Sequence, residues 1–142
     1  MNLNEYFKKF KKLKASIIVI TVKDEGSKNI KNFLVKEKLG LEMNFNFRDS
    51  YVAVIDKKRK FIYEKKSKEK IECSYQVGDN SYIDIVSGGY MCGNFSSIKI
   101  GNNEFSLNRT GLNIAIFNNK TLALIDSFVC DSFNSKELLI TR

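Results

Sequence analysis

A chain of 142 residues with 43 % apolar side chains can bury one ordinary core without disulfides or metal, and two domains of this total length would each be too small to do so. The three cysteines, Cys73, Cys92 and Cys130, are odd in number and lack CxxC spacing, while the absence of histidine excludes Cys–His and Ser–His catalysis and the usual mixed zinc sites. The net charge of +8 is local: five Lys against Glu5 fall in residues 1–14, and eight basic residues against Glu64 and Glu69 fall in residues 57–70. It is supplied by Lys far more than by Arg, which suits a solvated surface better than the planar fork that reads bases and phosphates, so DNA is not an expected partner.

Leu3, Phe7, Phe10 and Leu13 fall on one stripe with Lys8, Lys9, Lys11 and Lys12 around it, which predicts a basic amphipathic helix over 1–14. Such a helix can dock on the body or a partner; on a membrane surface it would hold only weakly and in a salt-sensitive way. The β-branched run Ser16–Val22 predicts a strand buried on both faces. It is too short to cross a bilayer and has no small-residue cleavage site after it, so neither a transmembrane segment nor a signal peptide is expected, and a reducing, cytoplasmic setting is. Ser27 as N-cap, the spacing of Ile30, Phe33 and Leu34, and Gly40 as the terminating residue predict a helix between them.

Beyond Gly40 the apolar period becomes two, and turn residues punctuate it. Strands are predicted at 51–56, 60–64, 71–76, 81–86, 96–100, 104–107, 112–117 and 121–127, with hairpins at Gly101–Asn103 and Asn118–Lys120. The fold expected is α+β: two antiparallel β-sheets packed as a sandwich with flanking helices, in one domain over 15–142.

Asp24, Glu25, Asp49, Asp126 and Asp131 offer carboxylates for a glycosidase pair, although turns and helix caps are the ordinary place for each. The cluster Ser87-Gly88-Gly89-Tyr90-Met91-Cys92-Gly93-Asn94 is no P-loop, because no Gly-Lys-Ser/Thr closes it and no helical pattern follows. It reads as a strained turn in which Cys92 is a small buried apolar residue rather than a reactive thiol. No cofactor, no metal and no catalytic residue are expected.

Two stretches are more specific. Thr21-Val22-Lys23-Asp24-Glu25-Gly26-Ser27, followed by Leu39-Gly40, Phe47-Arg48-Asp49-Ser50-Tyr51-Val52 and Tyr63-Glu64-Lys65-Lys66-Ser67-Lys68, resembles one half of the interleukin-like EMT inducer or GG-domain family. Ser87-Gly88-Gly89-Tyr90, Ile98-Lys99-Ile100, Asn108-Arg109-Thr110-Gly111-Leu112-Asn113-Ile114 and Asp126-Ser127-Phe128 resemble the other half. The likeness is greatest to the family's glycan-binding stem domains of O-mannose N-acetylglucosaminyltransferases. The halves, 15–70 and 71–142, stand in the reverse of the animal order, as a circular permutation or an exchange between two chains of a homo-oligomer would leave them.

The resemblance implies a non-catalytic carbohydrate-binding module, with glycan contacts at Asp24, Arg48 and the Arg109–Thr110 pair, and with Tyr51, Tyr90 or Phe47 as a stacking face. Where the family has Arg directly before the glycine, this chain has Thr110, and Arg109 lies one residue upstream. A role in bacterial surface-polysaccharide or glycoconjugate synthesis beside a glycosyltransferase follows as the leading expectation. A structural assembly or connector domain, like the family's members in phage tail fibres, is the first alternative. Polyanion or nucleic-acid binding through the Lys-rich segments is the second.

Overall fold

The structure is a computed structural model that describes residues 1–10 and 15–142, so Leu13 of the predicted helical stripe lies outside the described residues. In chain order its elements are α1 (Leu3–Phe10), β1 (Ser16–Asp24), β2 (Ser50–Asp56), β3 (Phe61–Ser67), β4 (Ile71–Val77), β5 (Ser81–Gly89), β6 (Phe95–Ile100), β7 (Asn103–Glu104), β8 (Gly111–Asn118), β9 (Leu124–Cys130) and β10 (Ile140–Thr141). Among the described residues no helix is long and apolar enough to cross a membrane.

β1 is central, and its composition explains why. Antiparallel partners flank it, β2 on one side and β8 on the other. Its even-numbered apolar residues, Ile18, Ile20 and Val22, enter a cluster with Leu3, Phe7, Phe33, Ile114 and Phe128. Ile17 and Val19 point the other way, into a second cluster with Val54, Ile83, Ile85, Ile98 and Phe117. A strand can fill both layers only if its residues of both parities are apolar, as in this β-branched run. Each such side chain contributes roughly 1.5–3 kcal/mol on burial.

The sheet-rich character agrees with expectation, but the strands form one curled, ten-stranded mixed sheet rather than two separate antiparallel sheets. The link is a fork at the end of β1. β2 pairs with β1 only as far as Thr21↔Val52, after which β5 takes over in parallel through Lys23↔Gly88 and Asp24↔Gly89. Ser87 sits in the crotch: its hydroxyl donates to the Val22 carbonyl (2.7 Å) and accepts from the amides of Tyr51 (2.9 Å) and Val22 (3.3 Å). One donor and two lone pairs are thereby all used on backbone groups that the diverging ladders leave over.

The helix predicted after Ser27 is replaced by two short 3₁₀ segments, Ile30–Asn32 and Leu34–Glu37, separated by Phe33 at φ −82, ψ 82. The cause lies on α1. The Asn4 side chain donates to the Asn32 carbonyl (2.8 Å) and accepts from the Val35 amide (3.2 Å), two backbone groups that a continuous helix would spend on itself. Ile30, Phe33 and Val35 all reach the core as a result, at a spacing no α-helix allows. Gly40 does adopt the left-handed conformation (φ 80) expected of it.

Of two further predicted strands, one is shorter than the pattern suggests and one is displaced along the chain. Of the predicted 104–107 strand only Glu104 pairs, together with Asn103 before it; past the Phe105 amide, which still donates to the Ile98 carbonyl (2.9 Å), the ladder stops where the Glu104 carboxylate takes the amides of Ile98 (2.7 Å) and Ser106 (3.1 Å). The strand expected at 121–127 is shifted to Leu124–Cys130, beginning after Leu122 turns the chain at φ 58. The predicted N-terminal helix is present over Leu3–Phe10 and docks on the body, with Leu3 and Phe7 buried.

The Lys-rich segment forms the β2–β3 turn and β3, a strand that among the described residues pairs only with β2. Buried Asp56 anchors the turn by accepting from Arg59 Nη1 (2.7 Å) and the Tyr75 hydroxyl (2.7 Å). Burial pushes its carboxyl up, but these bonds outweigh that and hold it below the ordinary carboxylate range; Arg142 and Tyr6 do the same for Asp126.

Two outcomes are expected. Ser87→Ala orphans backbone groups in the crotch and lowers stability by about 2–3 kcal/mol, read as a reduced urea midpoint; an unchanged midpoint would refute the fork's importance. The stability from Asp56 and Asp126 is fully present above the unfolded carboxylate pKa of about 3.9 and drains away as pH falls through their lower folded values. Urea midpoints should therefore drop with pH below about 4, and drop less in an Asp56→Asn, Asp126→Asn variant.

Candidate functional site

The fork positions a shelf at the C-terminal end of β1. Asp24, the last residue of that strand, stands in the left-handed region (φ 66), and its carbonyl accepts from the Tyr90 amide (2.9 Å). Its carboxylate accepts from the Thr110 hydroxyl (3.2 Å). Thr110 precedes Gly111, which pairs with Lys23 and could not be larger, since a Cβ there would lie 2.3 Å from the Cys130 carbonyl oxygen.

Arg48 reaches the same place from a separate turn. The Asp49 carboxylate accepts from the Asn46 amide (2.9 Å) and closes that turn, leaving Arg48 at φ 64. Buried Glu25 joins the two loops: its carboxylate accepts from the Ser27 amide (2.9 Å) and hydroxyl (2.8 Å), the Lys28 amide (3.1 Å) and the Arg48 amide (3.1 Å). Gly89 completes the approach, because a Cβ on it would lie 2.1 Å from the Arg48 carbonyl oxygen.

The guanidinium carbon of Arg48 rests 4.2 Å from the centre of the Tyr90 ring and 4.9 Å from that of Phe47. Both rings are about half exposed, at 48 % and 57 %. Stacking of this kind stabilises an exposed cation by roughly 0.5–1 kcal/mol and limits its orientations. Two non-glycine residues on left-handed backbone within one cluster, one of them Arg, mark a place where surrounding bonds enforce an unfavourable conformation.

Asp24, Arg48 and Thr110 are thus brought together, with Tyr90 and Phe47 beside them. Arg109 neighbours the cluster with an exposed side chain, while its backbone is locked by Asn113, which accepts from the Arg109 amide (3.1 Å) and donates to its carbonyl (2.8 Å). Where the motif would place Arg, Thr110 makes the contact with Asp24.

Tyr51 is a correction. It is only 2 % exposed, stacks on Phe45 with centroids 4.5 Å apart, and donates its hydroxyl to Glu64 (2.6 Å), so it offers no face to a ligand on the shelf. Burial and the Glu64 carboxylate both push its phenol up. Cys92 also departs from expectation, being half-buried with its thiol donating to the Lys68 carbonyl (2.5 Å). That bond brings Lys68, which nothing in the uniform Lys-rich sequence singles out, against the glycine turn.

The other acids nominated for chemistry are occupied locally. Glu25 and Asp49 close the loops described above, Asp131 caps its own turn through the amides of Phe133 and Asn134 (both 3.1 Å), and Asp126 holds Tyr6 and Arg142. Among the described residues no group of three or more His, Cys, Asp or Glu side chains is arranged to hold a metal ion. No family model, curated protein or solved structure matches the chain, so the likeness to interleukin-like EMT inducer domains has no support beyond the motifs themselves.

Gly89→Ala is expected to lower stability by roughly 1–3 kcal/mol, because its methyl group meets backbone that cannot yield without moving the Arg48 turn. A urea midpoint equal to that of the parent chain would contradict the close approach.

Proposed function

We propose that this chain is a non-catalytic carbohydrate-binding module that holds a glycan on the Asp24–Arg48–Thr110–Tyr90 shelf. The observation that carries the reading is the convergence of half-buried Asp24 and exposed Arg48, both on left-handed backbone, beside a half-exposed aromatic ring. Sugars need rigidly held donors and acceptors with an apolar face alongside. A carboxylate accepts from hydroxyls, a guanidinium donates as a planar fork, and a ring covers C–H groups. Charge-assisted bonds contribute roughly 1.5–3 kcal/mol each before ordering costs, so two or three of them correspond to a dissociation constant on the order of micromolar to millimolar.

In this reading the module presents a polysaccharide or glycoconjugate to a glycosyltransferase. Its cysteines are all unbridged, in keeping with a reducing compartment such as the cytoplasm. A second reading, an assembly or connector domain, draws on one specific observation: Phe47, Tyr90, Met91 and Phe95 are all substantially exposed around the glycine turn, and they could meet a second chain.

A glycan array probed with the parent chain, Arg48→Ala, Asp24→Ala and Tyr51→Phe separates these. The lectin reading expects hits that weaken at least tenfold in the first two variants and persist in Tyr51→Phe. No hit at high protein concentration, together with a stable oligomer in solution, would sink it in favour of assembly.

A further inference from the structure

The four arginines divide in two. Arg59 and Arg142, away from the shelf, are each ion-paired at 2.7 Å, to Asp56 and Asp126. Among the described residues, neither Arg48 nor Arg109, the two at the shelf, lies within ion-pair distance of a carboxylate. Arg48 is nonetheless held in place by its own backbone turn and by contact with two rings, so its donors are oriented in advance toward solvent. A guanidinium arranged in this way matches a carboxylate or phosphate bidentately, and it need not give up an internal partner to do so.

The basic stretch, distant in sequence from Asp24 and Thr110, joins the same surface. Ser67 at the end of β3 pairs with Ser50, two residues beyond Arg48, and the Ser50 hydroxyl accepts from the Gly89 amide (3.0 Å). From there the chain crosses to β4, where Ile71 pairs with Ser87, and on the way the Lys68 carbonyl binds the Cys92 thiol of the glycine turn. Lys68 is exposed beside that turn. Lys23 pairs with both Gly88 and Gly111 at the end of β1. The charges gathered at this end of the fold thus include Lys23, Arg48, Lys68 and Arg109 against Asp24, the exposed Glu69 and Asp131, which lies against Gly111 with its carboxylate bound in its own turn, while Glu25 and Asp49 are buried and bound.

We propose that the ligand of this shelf is an acidic saccharide, whose carboxylate or phosphate is taken by Arg48 while Asp24 and Thr110 bind its hydroxyls. The inference rests on the carbohydrate reading above and narrows it to one substrate class. A bare polyanion is disfavoured, because Asp24 stands among the cations: a carboxylate repels a phosphate backbone but accepts from sugar hydroxyls. The anion and the hydroxyls have to be on one molecule.

The test uses the full chain and an array printed with matched pairs: uronate- and sialate-bearing saccharides beside their carboxyl-reduced forms, phosphorylated saccharides beside their dephosphorylated forms, and single-stranded oligonucleotides and polyphosphate as sugar-free anions. At least one acidic member is expected to bind roughly ten- to a hundredfold tighter than its neutral twin. That ratio should shrink in Arg48→Gln and, with no change near the strained turn, in Lys68→Glu; which pairs respond tells carboxylate from phosphate. Equal binding of acidic and neutral twins would overturn the inference and leave the carbohydrate reading standing. Sugar-free anions binding as tightly as the acidic saccharides would overturn it in favour of a polyanion surface. No saccharide bound at all would overturn both.

Discussion

The hydroxyl of Ser87 is the interaction on which the rest of the structure depends. A sheet whose central strand changes partner must leave backbone groups between the departing ladder and the arriving one, and buried groups of that kind are costly when unpaired. At the end of β1 one side chain absorbs them, bonding to Val22 on the central strand and to Tyr51 on the departing one. Serine suits the place because it is small enough for the crotch and carries a donor with two acceptor positions. With those groups satisfied, the sheet can curl so that both faces of β1 are covered by the same chain.

The shelf is a by-product of that fork put to use. Where β2 leaves and β5 arrives, two loops come within touching distance, and the glycines at 88 and 89 let backbone pass where any Cβ would collide. The left-handed conformations of Asp24 and Arg48 are unfavourable in isolation. They persist because Glu25, itself buried, spends its carboxylate on the amides of both loops. The Glu25 carboxylate is therefore scaffolding, whereas that of Asp24, half-buried and bonded on one oxygen to the Thr110 hydroxyl, stands where a ligand can meet it.

Much of the strand pattern was legible in the sequence because period-two burial is a local property: the runs at 16–22, 51–56, 81–86 and 112–117 all became strands at or near those bounds. The helix after Ser27 was misread because its breaker is distant. Asn4 lies outside any window that contains Phe33, and its amide decides the conformation there. The continuity of the sheet was hidden for a similar reason, since a parallel contact as short as Lys23 and Asp24 against Gly88 and Gly89 leaves no periodic trace. Of the site, motif likeness drew attention to Asp24, Arg48 and Thr110, but it could not reveal that Tyr51 turns inward onto Phe45 or that Lys68 folds against the glycine turn.

The arrangement of β1 has a kinetic side. Its first residue, Ser16, pairs with Asn118, and its last, Asp24, with Gly89, so although β2 is nearby in sequence, the central strand cannot find its β8 and β5 neighbours until most of the chain has been gathered. Loops of that length are costly to close before contacts reward them, which places the completion of the sheet late and makes this a slow folder for its size. Residues 24, 48, 89 and 110 meet only at that last step. A collapsed intermediate with its hairpins already formed would thus have no shelf, and a bound ligand would discriminate between the finished domain and everything that precedes it.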